Sequence, residues 1–577
     1  MSLMGLMGLV QTGCSDFLEI KPLSEIILED FWNEKADVDN VVAGCYSALL
    51  GDGVRRRMMV WGEVRSDNIV SGQNINNDVN LYNILKENIT AKNAYTTWDG
   101  FYDVINRCNT VLKYAPGVAE IDPGYTQGDL KATIAEVSAL RDLCYFYLIR
   151  TFRDVPYSTE AFTDDDQVMD LPATSFDTVL DYLIADLESV KGNAVTRYPE
   201  TKTRYQTGRI TKNAINAMLC EMYLWKKDYD NCIKYANQVI EFMKETEEDN
   251  RKTSTGRMGA ASQSMIDARL NGYPLVNDNL TGNTFGTYYR TVFIDGNSKE
   301  SIFELSYEDS PETAGTTNNS AIAVFYGNAT DGKGLLAPST FLTEDIAAST
   351  GRSVFEDDNK MLDSRLYVNC EAETGVIVKY AYGIVNITGN TDKPSASYFN
   401  RFTSANNGSK WIIYRLPDIM LLKAEAICQQ MVEGSDSAVI ATNQPKLDEC
   451  FQLVNAINKR AICKSTLTAN DTLKPQNYTT KSLMENLVRR ERQRELMFEG
   501  KRWYDLVRYA MRENSTDVII SAAVQRDDVN KQFVQSFFKK MDAIFWPYNY
   551  EEMKVNKNLV ANPAFSSGES SSYEKSE

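Results

Sequence analysis

The sequence predicts a mainly α-helical protein: a scaffold of tetratricopeptide-like helix pairs, a loop-rich ligand-binding portion and a few short strands. Three observations carry this. Apolar residues recur at helical spacing through two long blocks. The stretch from Arg209 to Ile240 reads as a helix–turn–helix repeat. Between the blocks, about 250–410, the chain is rich in Gly, Asn, Ser and Thr.

In chain order, Val38, Val41, Val42, Cys45, Tyr46, Leu49 and Leu50 form the apolar face of a first helix. Trp98, Phe101, Tyr102, Ile105, Asn109 and Leu112 form that of a second. Residues 135–149 are apolar on most sides and predict a buried helix, stopped by Pro156. In the repeat, Ala214, Ala217, Met218 and Tyr223 belong to one helix and Lys226-Lys227-Asp228 to a tight turn. Tyr229, Cys232, Ile233, Ala236, Val239 and Ile240 belong to the next. Small residues are needed where two antiparallel helices cross closely. In the loop-rich region, SIFELSY and GVIVKYAYGIV read as strands. Pro417 fits a helix start, where its missing N–H costs nothing, and Leu447 to Ala461 carry another apolar stripe. The chain divides into an N-terminal signal-like and linker stretch, 1–20, and helical scaffold over 21–249. The loop-rich portion spans 250–410, scaffold resumes over 411–565, and 566–577 is a disordered tail.

The 577 residues carry a net charge of −18, which disfavours nucleic acid as a partner. Histidine is absent, excluding His-based triads and most zinc sites. The ten cysteines contain no CxxC pair, and the nine internal ones read as small buried hydrophobes. The tenth, Cys14, follows an apolar run and Gly13, resembling the end of a lipoprotein signal peptide. Gln11 stands where Leu is usual. The acidic run Thr163–Gln167 lacks the glycine and distal glutamate of a calcium loop and reads as a turn. GDGVRRR lacks the GK[ST] of a phosphate loop.

The segment RRERQRELMFEGKRWYDLVRYA, 489–510, mixes ions with large apolar groups. On a helix, Glu491, Glu495 and Glu499 share one face. Arg494, Arg492 and Arg502 lie three residues from them in turn, which predicts an interlocked ion-pair ladder. Carboxylates so paired serve structure, and none is assigned to catalysis. Gly500 suits a helix end or a close crossing.

This segment closely resembles the C-terminal signature of the SusD/RagB family, glycan-binding surface lipoproteins of bacterial nutrient-uptake systems. WDGFYDVINRCNTVL, RDLCYFYLIRTFRDVPY, GRITKNAINAMLCEMYLW, YRLPDIMLLKAEA, LVNAINKRA and IFWPYNYEEMKVNKNLVANPAF resemble further family motifs. Arg153 stands where the family has glycine. The resemblance implies tetratricopeptide-type helix pairs, a loop-rich ligand surface, no catalysis, and neither cofactor nor metal. It also implies a lipid anchor at Cys14, exposure at the outer-membrane surface, and a SusC-like TonB-dependent transporter as partner for an oligosaccharide ligand.

Sugars offer flat apolar faces and many hydroxyls, so their sites combine exposed aromatics with short polar side chains. Two stretches have this composition. One holds Asp67, Asn68, Asn74, Asn77 and Tyr82, with Trp98 beyond it. The other holds Tyr288, Tyr289, Arg290, Tyr307, Tyr326 and Asn328. Turn capping is the competing role for Asp67 and Asn68, and packing beneath loops for each aromatic. Other functions compatible with the sequence are a structural or peptide-binding accessory of the transporter and, less so, a two-carboxylate glycosidase.

Overall fold

The computed structural model describes residues 31–164, 166–253, 266–278, 283–307, 320–327, 334–343, 354–355, 363–371, 374–387, 394–399 and 408–565. Cys14, Asn328 and the 566–577 tail lie outside the described residues.

The first scaffold block comprises α1 (Lys35–Leu49), α2 (Asp52–Met59), α3 (Val79–Leu85), α4 (Asp99–Ile121), α5 (Gln127–Phe152), α6 (Phe176–Val190), α7 (Lys212–Trp225) and α8 (Tyr229–Thr253). The second comprises α9 (Leu416–Gln429), α10 (Ser437–Ala461), α11 (Lys481–Leu496) and α12 (Arg502–Glu513). Sequential helices pack side by side: α4 on α5, α5 on α6, α7 on α8, α9 on α10. The two blocks meet where α8 packs on α9. The Arg209–Ile240 reading holds: α7 and α8 are joined at Lys226–Asp228, with Lys227 in the left-handed region at φ 65°. Pro417 sits in the first turn of α9.

Local chemistry sets the ends. Thr126 and Asp129 cap the start of α5 reciprocally, with Thr126 Oγ1 accepting from the Asp129 N–H at 3.1 Å. Thr211 and Thr480 cap α7 and α11. Every residue from Ala135 to Phe152 is buried, so α5 is the central helix of the first block. Burying each Leu or Phe there contributes roughly 1.5–3 kcal/mol. Arg153, at the end of α5, has φ 70°, a conformation that costs a non-glycine residue roughly 1–2 kcal/mol. Its guanidinium pairs with Asp154 at 3.1 Å and Asp542 at 2.6 Å.

Short antiparallel ladders tie the loop-rich portion to this frame. β1 (Ile69–Ser71) pairs with β3 (Leu336–Pro338), and β2 (Ser301–Leu305) with β6 (Trp411–Arg415). β4 (Tyr382–Ile387) pairs with β5 (Pro394–Phe399). SIFELSY is therefore a strand, while GVIVKYAYGIV divides into two, Val376–Ile377 and β4.

The predicted ladder of 489–510 is corrected. Of the three local pairs, Glu491–Arg494 forms, at 3.2 Å. Helix α11 ends at Leu496, so Glu499 lies beyond it and the remaining charges turn toward other elements. Glu495 accepts from Arg365 at 3.0 Å, from Arg415 at 2.6 Å, and from Arg460. Glu499 accepts from Arg415 at 2.8 and 2.7 Å and pairs with Lys379 at 2.6 Å. Arg492 bridges Asp418 at 3.0 Å and Asp505 at 2.9 Å, and Arg502 grips Asp67 at 2.8 Å. All but Arg502 are buried, so α11 is an ionic hub joining distant parts of the chain.

Burial opposes ionisation of Asp505, but Arg492 and Arg508 outweigh it and hold the carboxyl at about 2. Its folded pKa thus lies below the unfolded value of about 3.9. The stability it contributes is present above that value and is lost as pH falls toward 2. Urea midpoints are expected to drop steeply between about pH 4 and pH 2. Asp505→Asn should lower the midpoint at pH 6 and flatten the acid slope; an unchanged slope would contradict this assignment.

Candidate ligand-binding surface

The turn after β1 and the short helix α3 form an exposed ledge. Asp78 caps α3, accepting from the Leu81 N–H at 2.9 Å, and turns Leu81, Ile84 and Leu85 inward. Val79 and Tyr82, three apart on the helix, then face outward, 64% and 38% exposed. Asn77 is exposed and Asn74 half-buried on the approach to this helix. Lys86, one turn beyond Tyr82, places its Nζ 5.3 Å from that ring's centroid. Lys86 is held by Asp528 at 3.1 Å, and the same carboxylate accepts from the Ser71 N–H at 3.0 Å and Oγ at 2.9 Å. The ledge is thereby pinned at β1 and at the segment carrying Asp528. On the other side of β1, Thr340, just past β3, hydrogen-bonds Asp527.

The other predicted residues lie elsewhere. Asp67 and Asn68 are buried: Gln493 Nε2 donates to both, at 3.0 and 2.8 Å, and Asn68 Nδ2 donates to Glu63 at 2.8 Å. They lock the β1 approach onto α11 and are corrected to structural residues. The reason is the ionic hub, in which Arg502 also grips Asp67 and Gln493 donates to both side chains.

Tyr288, Tyr289, Tyr307 and Tyr326 are likewise corrected, since all are buried. Arg460 lies 4.5 Å over the Tyr288 ring and Arg55 5.0 Å over that of Tyr307. Tyr289 Oη donates to Asn369 Oδ1 at 2.9 Å, and Tyr326 stacks on Tyr380 at 6.1 Å. These rings fasten the loop-rich portion into the core it shares with the scaffold, because large aromatic areas gain most from leaving water. Arg290 is exposed and pairs with Asp295 at 3.5 Å, apart from the α3 ledge in the contacts it makes.

Trp98 is 4% exposed and packs edge-on against Phe152 and Tyr102. It also lines a cleft of about 520 Å³ together with Tyr102, Asn106, Asn109 and Val555. The carboxamides there are already used: Asn106 Nδ2 donates to Phe162 O and Asn109 Nδ2 to Glu160 O, both at 2.9 Å. Of the aromatics singled out in the sequence, Tyr82 on the ledge is thus the exposed one. Val79, Lys86 and Asp528 escaped the sequence reading; only the i, i+3 and i, i+4 spacing about Tyr82 signals the first two.

Two family models match the chain. One, described as the SusD family, covers residues 299–565, and one described as starch-binding associating with outer membrane covers residues 16–224. SusD-like protein P38 of Formosa agariphila is 26% identical over 522 residues, spanning 86% of this chain and 88% of the relative. SusD-like protein P25 of the same organism is 23% identical over 575 residues, 96% of each chain. Among solved structures, a laminarin-binding SusD-like protein superposes with a TM-score of 0.58 at 18% identity, over 92% of this chain and 100% of that one. Surface glycan-binding protein A from Bacteroides thetaiotaomicron, in complex with laminarihexaose, does so with a TM-score of 0.59 at 18% identity, with the same shares covered.

Proposed function

Because the chain belongs to the SusD/RagB family, we propose that it captures an oligosaccharide at the cell surface and passes it to a SusC-like TonB-dependent transporter. The observation that supports this reading is the exposed Tyr82–Val79 face of α3, with Asn74 and Asn77 on the turn that leads into the helix. The ring supplies a stacking platform and the carboxamides supply donors and acceptors for hydroxyls. The protein holds its ligand without chemistry, and the carboxylates of the ionic hub are engaged by arginines and closed to substrate. Lipidation of Cys14 anchors it to the outer membrane. Among the described residues no helix is long and apolar enough to cross a membrane.

Affinity electrophoresis in gels containing laminarin and a panel of other neutral glycans tests the reading. Laminarin comes first because two of the structural likenesses name it or its hexamer. At least one glycan should retard the protein, and Tyr82→Ala should weaken that binding about tenfold, the scale of losing one stacked aromatic anchor. Unretarded migration in every gel would favour the structural-accessory function instead. New reducing ends released on incubation would favour the glycosidase.

A further inference from the structure

The cleft that Trp98 lines is built from three parts of the chain: the outer face of α4, the segment 156–171 that follows α5, and the short helix Tyr550–Val555 with the residues after it. Its walls are tied together. Tyr102 Oη donates to the Pro156 carbonyl at 2.6 Å and Asn556 Nδ2 to that of Leu171 at 2.7 Å, beside the Asn106 and Asn109 bonds already described. The cleft is thus preformed, and its volume of about 520 Å³ is in the range of binding pockets.

Tyr102, Phe162, Leu171 and Leu559 are half-buried in it and leave apolar area facing water. Met169 and Val555 stand on its rim, and Val168 and Val560 adjoin rim residues in the chain. These last four are 55–81% exposed, and they make up a third of the twelve exposed large apolar side chains among the described residues. Apolar surface gathered in this way marks ground that another molecule covers.

The charge is one-sided. Asp99, Asp103, Asp170 and Glu552 line the cleft, and among the described residues no lysine or arginine does. Arg57 meets Asp99 at 3.5 Å and Arg107 meets Asp103 at 3.0 Å, both from outside the lining and both at exposed carboxylates. No ion pair reaches Asp170 or Glu552 among the described residues; Lys554, the cation nearest Glu552 in the chain, pairs with Glu551 at 3.5 Å. Burial lifts the Glu552 carboxyl above its ordinary range; the N–H it accepts from Trp98 works against this, and the Asp99 charge adds to it. A cation brought into the cleft relieves that repulsion.

These features select the occupant. A small ligand confined to the cavity would leave the rim valines wet, so the occupant extends past it. A second copy brings a charge of −18 of its own, and anionic lipid headgroups would meet the same carboxylates. We propose that the cleft docks a segment of a partner protein in which an aromatic or long aliphatic side chain stands beside a lysine or arginine. The apolar side chain fills the cleft and the cation meets Asp170 and Glu552. The surface shares no residue with the Tyr82 ledge, and its test involves no glycan.

Selection of random linear peptides by mRNA display on the immobilised full chain tests it. Met169→Ser/Val555→Ser, which leaves the net charge unchanged, serves as counter-selection. The expected result is a peptide family that is kept by wild type, lost on the variant, and combines aromatic or aliphatic with basic residues. In fluorescence anisotropy the best such peptide should bind roughly fivefold or more weakly to Met169→Ser/Val555→Ser and to Asp170→Asn/Glu552→Gln. The second variant keeps a carbonyl oxygen for the Trp98 N–H. Tyr82→Ala and Val432→Ser, at exposed residues elsewhere, should leave binding unchanged. No enrichment, enriched sequences no more basic than the library, or affinities unmoved in both cleft variants with native circular dichroism would overturn the proposal. So would sedimentation equilibrium showing a dimer that Met169→Ser/Val555→Ser breaks, which would assign the cleft to a second copy.

Discussion

Arg415→Met is expected to cost about 3–5 kcal/mol, because it leaves buried carboxylates with less counter-charge than their burial demands. Arg415 donates to Glu495 at 2.6 Å, to both oxygens of Glu499 at 2.8 and 2.7 Å, and to the Glu495 carbonyl at 2.8 Å. Among the described residues, its removal leaves Glu499 with Lys379 as its ion-pair partner. Burial opposes the charge on Glu495, yet Arg460, Arg415 and Arg365 together hold its carboxyl far below the usual range. Loss of one arginine shifts that balance toward protonation. A urea titration against wild type measures the cost. Arg107→Ala, which breaks the exposed pair with Asp103, is the control and should cost less than about 1 kcal/mol. Equal effects from the two variants would show that the buried network adds nothing beyond a surface pair.

Gly62→Ala is expected to cost more than about 4 kcal/mol, through overpacking against backbone that has no room to yield. Gly62 lies in the π-helical turn Val60–Val64 that follows α2, and a Cβ there would run into the Gly500 carbonyl. Gly500 has φ 69°, and a Cβ on it would stand 2.8 Å from the Trp411 ring and 2.9 Å from the Met58 carbonyl. The approach is fastened by Glu63, whose carboxylate accepts from the N–H groups of Phe498 at 2.9 Å and Gly500 at 3.0 Å. Two glycines, one near each end of the chain, thus allow the first block to touch the segment after α11 directly. Thermal unfolding of Gly62→Ala, with Gly192→Ala as an open-space control, tests this, since nothing lies within 4 Å of a Cβ at Gly192. A Gly62→Ala melting temperature equal to that of the control would sink the crossing argument.

Much of the scaffold is legible in the chain because helix formation is local. Apolar spacing marks the inner faces of α1, α4, α7 and α8, Pro417 marks the start of α9, and Gly500, offered as a helix end or a close crossing, is the crossing. The ledge is half legible: Asn74, Asn77 and Tyr82 are in the named stretch, but Lys86 and Asp528 come together from positions 442 apart. The tyrosines of the loop-rich portion read the same way on paper whether they face sugar or core, and the fold buries them.

By itself the sequence determined the helix pairs, their order, the turn at Lys226–Asp228 and the family signature, since each depends on residues within a few positions of one another. Only the tertiary structure decided which charge meets which. Arg415 reaches Glu495 across 80 positions and Arg502 reaches Asp67 across 435. A long side chain can serve several partners equally well in an unfolded chain. Which it takes is set by where packing brings the carboxylates once water has been driven out.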